Sequence, residues 1–173
     1  MQIDLRSPRA GDGTFNDEIS NVSELLTYDS FHIGQTIELG WVSASEGDIV
    51  DFATRFDPQL FHVDVEKARS SLYNGIIASG WHTAGLFMRL YVDRILSHAA
   101  CLGSPGVDEL RWIAPVRPGQ RLLGVLTVER KQPSKSRPDR GTLYPRCELF
   151  DEEGRLVFSM VLRTLLRRQP TSV

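Results

Sequence analysis

Cysteine is scarce in this chain: two in 173 residues, Cys101 and Cys147, with no CxxC spacing. So few, so far apart, argue against a disulfide framework and for a buried, reduced pair, as in a cytoplasmic protein. Long apolar runs are missing as well. None approaches the roughly 20 residues that a membrane-spanning helix requires, and the N-terminus is too polar for a signal peptide. The expected compartment is the cytoplasm, with no membrane partner. Neither sign of charge dominates: 20 Lys and Arg face 22 Asp and Glu, a formal net charge of −2. That balance gives no general attraction to nucleic acid. The four histidines, His32, His62, His82 and His98, show no HxxxH spacing and no partnering cysteines, so no metal site is expected. GxGxxG, Walker and GxSxG sequences are also missing, which argues against a tightly bound nucleotide and a serine nucleophile elbow. No cofactor is expected.

What is present is an ordinary globular composition, 41% hydrophobic and 24% charged, in a length that suits one domain with a real core. Residues 1–27 are rich in Gly, Asp, Ser and Asn and read as a loose arm. From 31 to 44 the pattern alternates as in a strand, with Gly34-Gln35 as its opening turn and Gly40 as a bulge. Ser45 and Asp48 then form a capping box, followed by Ile49, Phe52, Ala53 and Phe56 on one helical face. A short helical piece is expected over 64–70, with Asp64 as its cap. Residues 79–97 form a helix that is apolar nearly all round, and are therefore expected to be buried. After a breaker at 103–106, strands are expected over 107–114, 121–130, 143–150 and 155–166. One strand, a helical block and several further strands predict an α+β domain in which an antiparallel sheet wraps a single long helix. The domain is expected over 28–168, with 169–173 as a tail.

The chemistry-bearing stretch is Phe56-Asp57-Pro58-Gln59-Leu60-Phe61-His62, followed by Ile77-Ala78-Ser79-Gly80-Trp81-His82. Proline fixes its own φ and keeps Asp57 out of the helical region, so the chain bends there. A bend can bring Asp57 and His62, five positions apart, to one side, where they can share a water. Taken singly, each residue has a plain structural role. Asp57 can satisfy turn N–H groups, His62 can be a hydrogen-bonded core histidine, and Gly80 can make room for Trp81.

Together these residues resemble the MaoC-like dehydratases, the hot-dog-fold family that includes the (R)-specific enoyl-CoA hydratases. That family has an Asp, a proline-containing turn and a His five residues after the Asp, then a small-residue–glycine pair opening the central helix. The turn here has Gln59 where the family often has Asn, and Ser79 stands where it often has His. The resemblance implies a single hot-dog domain and a hydro-lyase that hydrates a 2-enoyl thioester, or dehydrates the (R)-3-hydroxyacyl thioester. It also implies an acyl-CoA or acyl carrier protein thioester as substrate, a place in fatty acid metabolism, and a homo-oligomer with the dimer as minimum. Asp57 and His62 would be the catalytic dyad, with Gly80 and Ser79 on the oxyanion and substrate side. Arg130, Lys131 and Lys135, within a basic run read as a solvated hairpin, are candidates for coenzyme A phosphates. His82 is a lesser candidate for the site. Two rival readings remain: a hot-dog thioesterase, which would place a carboxylate on the central helix where this chain has only Asp93, and a non-catalytic thioester-binding module.

Overall fold

The computed structural model describes residues 25–169. A 3-10 turn at Tyr28–Ser30 leads to strand β1, Thr36–Val42, which is shorter than the alternation suggests because 31–35 form the turn that feeds it. Gly40 sits at φ +105°, where the register of β1 slips, as a bulge demands. Helix α1, Glu46–Phe56, starts with the expected reciprocal cap: the Asp48 N–H donates to Ser45 Oγ at 3.2 Å, and the Ser45 N–H donates to Asp48 Oδ2 at 2.9 Å. Ile49 and Ala53 are fully buried. Phe56, expected on the same apolar face, is instead 70% exposed at the last position of the helix, with its ring 5.1 Å from that of Phe52.

Two short helices follow, α2, Leu60–Val63, and α3, Val65–Arg69. The second is the expected piece, with Asp64 accepting from the Lys67 N–H at 3.0 Å. The first was not visible in the periodicity, since one turn carries too few residues to show it. Helix α4, Gly80–Arg94, is the long one. It is not buried all round. His82, Thr83, Leu86, Phe87, Leu90 and Tyr91 form the buried stripe, while Trp81 and Val92 face outward, because the sheet covers one side only.

The remaining strands are β2, Cys101–Trp112, β3, Leu122–Pro133, β4, Arg140–Phe150, and β5, Leu156–Arg167. All pair antiparallel in one sheet of order β1-β3-β4-β5-β2. Residues 103–106, read as a breaker, lie inside β2, where Gly103 and Gly106 at positive φ interrupt the register against β5 without ending it. The sheet curls round α4 in the hot-dog arrangement. Its inner face supplies Leu122, Leu126, Cys147, Leu149 and Phe158, packed on Phe87 and Leu90. The Phe87 and Phe158 rings lie 6.3 Å apart, and Tyr91 Oη donates to Thr164 Oγ1 at 3.1 Å across the same core. Both cysteines are free; Cys147 is buried as expected, Cys101 only partly.

The arm expected over 1–27 lies outside the described residues up to 24, but Leu26 bridges to Ala99 and belongs to the fold. The end of the tail, from 170, also lies outside them. Among the described residues no helix is long and apolar enough to cross a membrane. Since Phe87 is wholly enclosed, Phe87→Ala should cost about 3–5 kcal/mol in urea denaturation followed by circular dichroism.

Candidate functional site

The site is built where α1 ends. Asp57 caps that helix with φ −155°, and Pro58 holds it there by excluding the helical conformation from the preceding residue. The single turn of α2 then carries His62 back toward Asp57, so that His62 Nε2 lies 3.4 Å from Asp57 Oδ2. The imidazole is buried, with its Nδ1 at 2.7 Å from the Ile77 carbonyl oxygen. A carbonyl only accepts, so Nδ1 carries the hydrogen, and in the neutral ring Nε2 presents a lone pair. Two acceptors, Nε2 and Oδ2, therefore face each other. A water that donates one hydrogen to each resolves that opposition, as does a proton on Nε2.

Both carboxylate oxygens of Asp57 are held. Ser79 Oγ donates to Oδ2 at 2.7 Å, and Gln59 Nε2 donates to Oδ1 at 2.8 Å. Burial pushes the Asp57 carboxyl up, but the hydrogen bonds from Gln59 and Ser79, with the pull of His62, outweigh it and leave its pKa below the ordinary aspartate value. Ser79 also accepts from the Trp81 N–H at 3.2 Å, so one hydroxyl caps α4 and fixes the carboxylate. Expected beside the substrate, Ser79 is instead fully buried behind Asp57.

Asp57, His62 and Gly80 open onto one cavity of about 700 Å³, whose walls include Phe56, Phe61, Tyr73, Trp81 and Trp112. Gly80 is the first residue of α4, where the helix leaves its leading N–H groups without internal partners. The room at Gly80 is needed for Trp112 rather than Trp81, since a Cβ there would collide with the Trp112 indole.

Other candidates lie elsewhere. His82 stacks on Phe52, with centroids 4.7 Å apart and planes 8° from parallel, and does not line the cavity. Burial holds its pKa below the usual histidine value, and its Nδ1 has no partner among the described residues. Arg130 and Lys131 are not in a hairpin loop but in β3, because that strand runs to Pro133. Arg130 lies over the Tyr144 ring, and Lys131 lies over the Tyr28 ring and donates to the Phe31 carbonyl. Lys135 is exposed on the hairpin, and none of the three lines the cavity. Among the described residues no cluster of three His, Cys, Asp or Glu could hold a metal ion.

Sequence reasoning passed over Trp112 and Tyr73, which no local motif ties to Asp57. It treated Gln59 only as a departure from a pattern, whereas its position two residues past Asp57 puts its amide within reach of the carboxylate.

A family model described as MaoC like domain matches residues 30–144. The uncharacterized protein YdeM of Bacillus subtilis (strain 168) is 32% identical over 143 residues, 83% of this chain and all of that protein. The crystal structure of the MaoC-like dehydratase from Rhodospirillum rubrum superposes with a TM-score of 0.77 at 37% identity, covering 84% of this chain and 99% of that one. The unliganded R-hydratase PhaJ1 from Pseudomonas aeruginosa shares the fold, with a TM-score of 0.65 at 22% identity over 86% of this chain and 94% of its own.

Removing the Ser79 or Gln59 donor should raise the Asp57 pKa toward its ordinary value. The sign follows from the depression: ionised Asp57 favours the folded state above the ordinary aspartate pKa, and that contribution disappears as pH falls through the lower, folded value. Ser79→Ala and Gln59→Leu should each narrow this window from its acid side. Carbon-13 NMR titration of the Asp57 carboxyl measures the shift; an unmoved titration in both variants contradicts the assignment.

Proposed function

Because this chain belongs to the MaoC-like domain family, we propose that it adds water to a 2-enoyl thioester, or removes it from the (R)-3-hydroxyacyl thioester. The observation that carries this reading is the pair of opposed acceptors, Asp57 Oδ2 and His62 Nε2, 3.4 Å apart on a cavity that also holds the Gly80 helix tip. Water donates to both, which aims its oxygen lone pair into the cavity. As that oxygen bonds to the β-carbon, His62 Nε2 takes its proton, and ionised Asp57 stabilises the resulting imidazolium. The electrons of the carbon–carbon double bond move toward the thioester, giving an enolate to whose oxygen the Gly80 N–H donates. Return of the proton from His62 to the α-carbon completes the 3-hydroxyacyl product. The dehydration runs the same steps backward, and neither direction requires a cofactor.

The fixed protonation of Nδ1 suits this division of labour. Asp57, held below the ordinary carboxylate range, stays an anion and is a poor base, so the mobile proton belongs to His62. The Rhodospirillum rubrum relative is described as a dehydratase, and the P. aeruginosa protein as an R-hydratase; both descriptions agree with the same reaction class. The carrier would be coenzyme A or acyl carrier protein. A second copy would pair along an edge of the sheet, where β2 leaves Val107 exposed.

The thioesterase reading loses its carboxylate. Asp93 is exposed near the far end of α4, 2.8 Å from Arg89. The binding-module reading rested on Gln59 and Ser79, and both are donors to Asp57 rather than gaps around it.

A screen of enoyl-CoA chain lengths, following loss of the conjugated-thioester absorbance, tests the reading. Asp57→Asn and His62→Ala should each lower hydration by about 10²–10⁴-fold with unchanged circular dichroism. Hydration that survives in both variants rejects the dyad.

A further inference from the structure

The cavity contains a second N–H donor beside the helix tip. Trp112 is the last residue of β2, and its indole lies against the Cα of Gly80. A Cβ built on Gly80 would stand 2.5 Å from Trp112 Nε1. With ordinary bond lengths, that places Nε1 no more than about 5 Å from the Gly80 amide nitrogen. Two N–H donors that share one oxygen at about 2.9 Å each can stand up to about 5.8 Å apart. That separation brings one oxygen within reach of both nitrogens.

The indole is also available. It packs edge-on against Trp81, with centroids 5.4 Å apart and planes at 77°, and among the described residues its Nε1–H has no hydrogen-bond partner. Tryptophan nitrogen is a donor only, and a substrate that displaces water from the cavity must offer it an acceptor or leave it unpaired. The enoyl thioester brings one strong acceptor to this end of the cavity, its carbonyl oxygen.

We infer that Trp112 is a further catalytic residue, whose Nε1–H joins the Gly80 amide in holding the thioester oxygen as charge develops on it. This rests on the hydration reaction proposed above. Trp112 moves no proton; it donates a hydrogen bond that strengthens as the enolate forms. The same contact explains why residue 80 must be glycine, because any side chain there would push the indole, and its donor, off the helix tip.

Trp112→Phe keeps an aromatic ring over Gly80 and beside Trp81 while removing the donor. With the enoyl-CoA that the native chain hydrates best, kcat should fall about 10²-fold, with KM and melting temperature nearly unchanged. In the native chain, which has three tryptophans, the Trp112 indole proton resonance should move downfield when a saturated acyl-CoA is bound. Native kcat in Trp112→Phe, or an indole resonance that does not move on binding, overturns the inference and leaves the Asp57–His62 reading intact. If Trp112→Phe does not fold, the resonance of the native protein decides alone. A native chain that hydrates no enoyl-CoA overturns both.

Discussion

The bond between His62 Nδ1 and the Ile77 carbonyl organises the site. A buried imidazole with both nitrogens free can hold its hydrogen on either one, and the two tautomers do opposite chemistry. Tying Nδ1 to a carbonyl removes that choice and directs a lone pair at Asp57. The carboxylate then finds no donor on the neutral ring, and Ser79 and Gln59 hold it. Each link follows from the one before: a carbonyl fixes a ring, the ring opposes a carboxylate, and the carboxylate recruits a serine that already caps a helix.

The rest of the fold keeps those links short. The Ile77 N–H donates to the Phe61 carbonyl at 3.2 Å, and the Ala78 N–H donates to the Val116 carbonyl at 2.8 Å. These bonds pin the strand-like approach to α4 between α2 and the connection from β2 to β3. The buried stripe of α4, from His82 to Tyr91, anchors the helix to the inner face of the sheet, so its first turn cannot drift from the dyad. Packing far from the cavity thus sets geometry within it.

Most of this architecture was legible in the chain because it rests on local rules. The Ser45–Asp48 cap, the Asp64 cap, the Gly40 bulge and the strand-rich C-terminal half all follow from short-range patterns, as did the place of the Asp-Pro bend. What was not legible depends on distant partners. Whether an apolar helix is covered on one side or two depends on the sheet, so the exposure of Trp81 and Val92 was not visible. A glycine-rich break and a bulged edge strand look alike in sequence, and only pairing with β5 separates them at 103–106. Trp112 reaches the cavity from β2, and no spacing rule links position 112 to position 80.

Among the described residues, the side chains that touch the Asp57 carboxylate come from 59, 62 and 79, within the crossover between β1 and β2. The inter-strand ladder begins again only at Cys101. The dyad and its two donors are therefore carried by one stretch of chain and the sheet by others, with Trp112 reaching the cavity from the end of β2. The crossover can change length or side chains between α2 and α4 without breaking a single inter-strand hydrogen bond, which makes this barrel-like shell a permissive host for altered reactivity.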